Sequence, residues 1–398
     1  MDKTFTGILI RYHLKDGFTQ PIKPLDELHI NLWEIGKPFI DMGLMISQWK
    51  EIDSIEITIP WRLDDSNVYD LGTSLNSEQS IAAIFNESVQ YNGRADTNIA
   101  LVHLLKNAED IANQSTAIQN KFLLLRLAPQ DITISYTNLS TKDEITNLKI
   151  KIPALKPYEI YKENIDRLYV RFRIINIPRN FYQSIFCQPD SNILSSYVST
   201  RIVDFRINVR RGIPKELLIN SDKVIFPPLK KIHFFLTINR NQECIFQGQN
   251  FVGCRSLTDE EIWNYYVESH SDSDKDVRDS VRNYLGYQWT KSNIQDENYP
   301  VKDLVALGRF SETSSGILHI CRFIFLGLGF GMAGNGLWEI LSDPHQATNK
   351  DYWLIIGVIA LGMLAIFSPS IFAALQRSSR YNATLDKVIQ ILTKLKSK

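Results

Sequence analysis

Two stretches of the chain alternate arginine with apolar residues. Between 167 and 174, Leu168, Val170, Phe172 and Ile174 oppose Arg167, Tyr169, Arg171 and Arg173. Between 201 and 210, Val203, Phe205, Ile207 and Val209 oppose Asp204, Arg206, Asn208 and Arg210. In a strand, residues two apart share a face. Paired in one sheet, the two polar faces make a platform of guanidiniums around a tyrosine ring. Guanidinium forks match phosphate oxygens, and an aromatic ring stacks on a base. Arg167, Tyr169, Arg171, Arg173, Arg206, Asn208 and Arg210 are therefore the expected ligand-binding residues, for a nucleotide or an oligonucleotide. A solvated face neutralised by Asp166 or Asp204 accounts for the same pattern, as does a face laid on anionic lipid headgroups. The charge around these strands is one-sided. Residues 151–240 hold sixteen Lys and Arg against seven Asp and Glu, in a chain whose net charge is zero.

Other chemistry is not legible. His13, His29, His103, His233, His270, His319 and His345 form neither HxxxH nor HExxH. The chain lacks a GxSxG elbow and a phosphate-binding GxxxxGK[ST]. Cys187, Cys244, Cys254 and Cys321 have no CxxC spacing, which fits a reducing compartment and no zinc site. No catalytic residue, metal or cofactor is expected. Gly329, Gly331 and Gly334 match GxGxxG, but inside an apolar run with no strand before them, so the dinucleotide reading is rejected.

That run is one of two. Residues 317–337 and 352–375 are each apolar for about the 20 residues a membrane crossing needs. The short link 342–351 makes them an antiparallel hairpin. Lysines and arginines on its flanks, against Lys350 alone in the link, put both termini in the cytosol. The N-terminus does not read as a signal peptide. Arg322 lies near the start of the first span, where it can snorkel. Gly327, Gly331 and Gly334 make a stripe for close helix packing, within the chain or between subunits. Asn335 sits beside that stripe, lining a path or bonding across helices, and Pro369 kinks the second span. Two helices cannot enclose a channel, so a pore demands a homo-oligomer, with four or more subunits.

The elements before residue 250 follow a period of two. Strands are predicted near 5–14, 27–33, 54–59, 122–127, 131–136, 147–152, 167–174, 201–210, 224–226 and 232–238. Residues 98–112 read as a helix. Thr258 to Glu261 is a capping box that opens a helical connector, with a second helix over 276–287. The expected fold is α+β. A β-rich sandwich or barrel-like cytosolic domain spans 1–250 and a helical connector 251–312. A two-helix transmembrane hairpin follows over 313–376, then an amphipathic helix over 377–398.

In its order of parts, the layout resembles the membrane effectors of bacterial anti-phage defence, in systems such as CBASS, membrane-type retrons and Hailong. The resemblance rests on that order and on the arginine-laced strands, and no family residue carries over. It implies a ligand-controlled, oligomeric effector that permeabilises or depolarises the inner membrane, regulated by a nucleotide or oligonucleotide on its cytosolic domain. The alternatives are a membrane-anchored binding or scaffold protein without pore activity, and a tethered enzyme.

Overall fold

A computed structural model describes residues 7–18, 25–94, 97–105, 120–138, 144–153, 165–186, 198–211, 223–258, 260–268, 281–293 and 299–313, with shorter stretches between 155 and 358. The chain divides into one unit of Met1–Phe186 with Thr200–Ser311 and another of Cys187–Ser199 with Glu312–Lys398.

The first unit is built of strands. In chain order these are β1 (Leu9–Leu14), β2 (Asp26–Trp33), β3 (Phe39–Ile46), β4 (Ile52–Ile59), β5 (Val68–Asp70), β6 (Ser88–Gly93), β7 (Ile99–Leu105), β8 (Lys121–Leu125), β9 (Ile132–Asn138) and β10 (Glu144–Lys151). They continue with β11 (Leu168–Ile174), β12 (Gln183–Phe186), β13 (Val198–Ile207), β14 (Val224–Ile225), β15 (Leu229–Asn239), β16 (Gln242–Gln247), β17 (Phe251–Ser256), β18 (Tyr284–Ser292) and β19 (Leu304–Thr313). Among the described residues two short α-helices join them, α1 (Glu78–Phe85) and α2 (Glu260–Glu268).

Three sheets result. The largest runs β17-β18-β15-β2-β3-β11-β8-β7-β6, with β5 also on β11; the others run β14-β1-β4-β10-β9 and β12-β13-β19-β16. At the centre of the largest, β2 lies antiparallel to β3 and parallel to β15, with His29 directly beside His233. The main core joins one face of this sheet to the other two sheets. It holds Leu28, Ile30 and Leu32 of β2, Val170 and Phe172 of β11, Ile55 and Ile57 of β4, and Phe205 of β13. The opposite face carries a second core, in which Trp33, Met45, Tyr169 and Phe235 pack with Ile81 of α1 and with Trp263 and Tyr266 of α2. With both faces covered, β3 and β11 are buried along their whole length.

Several expectations are corrected. The stretch over 98–112 is not a helix where it is described, because Ile99–Leu105 is a strand between β6 and β8. Its near-continuous apolar run suits a strand buried on both faces, and periodicity alone cannot separate that from a buried helix. The connector over 251–312 is not a helical domain. β17 and β18 extend the largest sheet, β19 belongs to the smallest, and α2 packs on the second core. Of the second connector helix, residues 276–280 lie outside the described residues, while Tyr284–Tyr287 begins β18.

The transmembrane hairpin over 313–376 is not supported, and with it falls the assignment as a two-span inner-membrane protein with both termini cytoplasmic. Among the described residues, no helix is long and apolar enough to cross a membrane. The residues described there, among them 327–331 and 355–358, are helical, and residues on either side of them lie outside the described set. The α+β assignment with a membrane hairpin gives way to a mainly β fold. Within the second unit, Ile355 and Val358 are buried, whereas Phe330, Trp338, Leu341 and Trp353 are exposed. All of 359–398, including the expected amphipathic helix, lies outside the described residues.

Candidate functional site

The arginines of β11 are held inside the protein. Arg171 and Arg173 are 0% and 1% exposed, so they form no open platform. Arg173 Nε donates to Asp41 Oδ1 at 2.7 Å, and its other nitrogens donate to the carbonyls of Tyr266 and Val267. Arg171 donates from Nε to the Tyr266 hydroxyl (2.8 Å), from Nη1 to the Tyr169 hydroxyl (2.9 Å) and from Nη2 to Asn31 Oδ1 (3.1 Å). The Tyr266 hydroxyl in turn donates to Asp41 Oδ2 at 2.8 Å. Register explains this arrangement. Asp41 lies opposite Arg173 across β3 and β11, and α2 brings Tyr266 down onto both. Gly43 leaves the space that the Tyr169 hydroxyl fills, since a Cβ there would stand 2.1 Å from that oxygen.

The other expected site residues scatter. Arg167, half-buried, approaches Glu27 Oε1 at 3.7 Å. Arg206 pairs with Asp204, Nε to Oδ1 at 2.9 Å. Asn208 is buried with φ at 52° and clamps β1, its Oδ1 accepting from the Ile10 amide at 2.8 Å. Exposed Arg210 stacks on Phe226 at 4.5 Å. Thus β11 and β13 present no common polar face. Gly327, Gly331, Gly334 and Asn335 are helical and exposed, and a Cβ added at Gly329 would stand 3.8 Å from Val358. Arg322 and Pro369 lie outside the described residues.

Sequence reasoning missed the site that the fold does assemble. On the α-covered face of the largest sheet, a cleft of about 290 Å³ opens beside the end of α1. Its floor is Glu27, His29 and Asn31 of β2, Lys231, His233 and Phe235 of β15, and Gln288 of β18; Phe85, Asn86 and Arg255 close it above. A donor atom from each of Glu27, His29 and His233 lies within 4.8 Å of the others. The imidazole centroids are 5.2 Å apart, and His29 Nε2 is 3.7 Å from Glu27 Oε2. Each ring is held by its other side. His29 Nδ1 is 3.3 Å from the Tyr169 hydroxyl, and His233 Nδ1 is 3.1 Å from Thr290 Oγ1.

Burial acts to raise the Glu27 carboxyl, but His29, Arg167 and His233 outweigh it and hold the group down at about 2. Burial lowers His29, against the pull of Glu27. It also depresses His233, to about 3, with His29 and Lys231 adding to the effect. At neutral pH the floor therefore carries an ionised carboxylate between two neutral imidazoles.

The rim is basic and aromatic. The Arg255 guanidinium lies 5.0 Å from the centre of the Phe235 ring and donates to Asn86 Oδ1 at 3.2 Å. Asn86 ends α1 in the left-handed conformation (φ 55°), which aims its side chain there. A second cleft of about 680 Å³ shares Asn86, Glu87 and Arg255 with the first and continues along α1 to Trp263.

The available sequence signal was two spaced pairs, Glu27 with His29 and Lys231 with His233. Each is a strand spacing, unlike the helical HxxxH and HExxH, and only the β2–β15 register joins them. No known family model matches the chain, and no curated protein matches its sequence.

Proposed function

We propose that the β-rich unit is a ligand-binding module whose cleft takes a phosphate-bearing ligand, a nucleotide or short oligonucleotide. The supporting observation is the charge gathered there. Lys231 and Arg255 line the cleft, Arg167 reaches its Glu27, and Arg171 touches its Asn31 from below with Arg173 beside it. Against these five cations stand the carboxylates of Glu27, Glu87 and Asp41. A surplus of two positive charges, partly desolvated, favours an anion. Phe85 and Phe235 offer ring faces and edges to a base. Together the joined clefts have room for a nucleotide. The pore-forming part of the membrane-effector expectation is not carried forward, because it requires spanning helices. The four-subunit assembly was inferred from those helices and goes with them.

Calorimetric titration with nucleoside triphosphates, cyclic dinucleotides and short oligonucleotides tests the module. At least one class should bind, more weakly as salt rises. Lys231→Glu with Arg255→Glu should weaken it by at least about tenfold, roughly the loss of one charge-assisted contact. Failure of every class to bind wild type, or equal binding by the double variant, overturns the reading.

A further inference from the structure

We infer that Glu27, His29 and His233 form a binding site for one divalent transition-metal ion. The three donors come from two adjacent central strands. Glu27 and His29 are two residues apart on β2 and so share a face, and the parallel register sets His233 of β15 directly beside His29. Ligand atoms on a common ion at about 2.1 Å stand about 3.0–3.5 Å from one another. Here the donors already lie within 4.8 Å, and the His29–Glu27 pair is at 3.7 Å.

The outer contacts fit the same use. A metal-bound imidazole needs one nitrogen for the ion and an N–H on the other, held by an oxygen. His29 Nδ1 has the Tyr169 hydroxyl, itself fixed by Arg171, and His233 Nδ1 has Thr290 Oγ1 at 3.1 Å, with Gln288 Nε2 farther off at 3.4 Å and itself donating to that Oγ1. Nε2 of each ring remains for the ion. Two imidazoles and a carboxylate suit zinc, cobalt, nickel or iron(II), whereas calcium and magnesium prefer oxygen donors throughout. Three protein ligands leave at least one position open to water or a ligand oxygen. The nearby cations Lys231 and Arg255 oppose a bare dication, and an anion in the open position relieves that opposition. This last clause alone rests on the phosphate reading; the ion site itself does not.

The test is titration of full-length protein, stripped with EDTA, with Co²⁺ alone and then competition by Zn²⁺, in phosphate-free and nucleotide-free buffer. One Co²⁺ per chain should bind and give visible d–d absorption. His29→Ala and His233→Ala should each lower affinity by at least about tenfold, as should Glu27→Gln. Thr290→Val keeps all three ligands and should weaken binding by about tenfold or more through loss of the outer contact. X-ray absorption of the zinc-loaded wild type, which needs no variant to fold, should show imidazole scattering from two histidines. Absence of stoichiometric binding, affinity unchanged in the ligand variants, or a shell of oxygen alone overturns the site. Metal binding without nucleotide binding leaves this inference standing and removes the phosphate reading, and the reverse result separates them equally.

Discussion

Arg171 and Arg173 show how much one residue's environment decides its meaning. In an open sheet their guanidiniums would face water. Here two are buried against one carboxylate, Asp41, which also accepts from Tyr266 and from the Trp33 indole at 2.9 Å. Buried ion pairs persist when every proton has an acceptor, as most do here. Asp26, on the opposite face of β2 from Glu27, is the contrary case. It accepts from the Tyr12 hydroxyl at 3.0 Å and the Ser47 amide at 2.8 Å, yet burial pushes its carboxyl up to about 7, more than those hydrogen bonds and Arg167 bring it down. The folded carboxyl thus keeps its proton to about pH 7, whereas the unfolded one releases it near its usual 3.8. Between those values the folded state binds more protons, so stability is fully present below about pH 4 and falls as pH rises through 7. Urea unfolding in EDTA should show a loss of about 2–4 kcal/mol across that window. Asp26→Asn should flatten it, and an unchanged slope in that variant places the titration elsewhere.

At the scale of elements, β18 ties packing to the cleft. Its Gly286 lies under the Phe235 ring, where an added Cβ would stand 1.9 Å from Cζ. Phe235 floors the cleft and carries Arg255 above it. Gly286→Ala should therefore turn the ring into the cleft at a stability cost of about 1–3 kcal/mol, the usual range for overpacking. Nucleotide affinity should fall with it, by about tenfold. Lost stability with unchanged affinity in paired denaturation and titration places the ring outside the binding site. The elements also show what a reader of the sequence can reach. The strands around Leu28, Ile55, Leu148, Val170 and Phe234 were legible because one polar and one apolar face leave a period of two. β7 and β18 were not, since strands covered on both sides, or rich in aromatics, lose that alternation. The polar face of β11 was legible as polar, but not what lies on it, because α2 arrives from about ninety residues downstream. His29 and His233 were single histidines until β2 and β15 paired.

Across the whole molecule, the basic surplus of 151–240 finds partners mainly in the first 60 residues. Arg173 meets Asp41, Arg201 meets Glu34, Arg167 approaches Glu27, and Lys223 meets Asp16. The two segments belong to one body, which explains a neutral chain with one-sided stretches. Among the described residues, that body's hydrophobic clusters draw on residues from Ile8 to Phe310. The residues of the cleft fall within the same limits. A chain ending at residue 316 should therefore keep the β-type circular dichroism of the full protein and unfold cooperatively within about 1 kcal/mol of it, because it retains the described cores of the β body. It should also bind nucleotide and Co²⁺ with unchanged affinity. Ile355 and Val358 are the buried large apolar residues described beyond that point, each 9% exposed. If the shortened chain aggregates or melts broadly, the C-terminal segment contributes to folding of the β body. If it folds but loses ligand affinity, control of the cleft reaches into that segment.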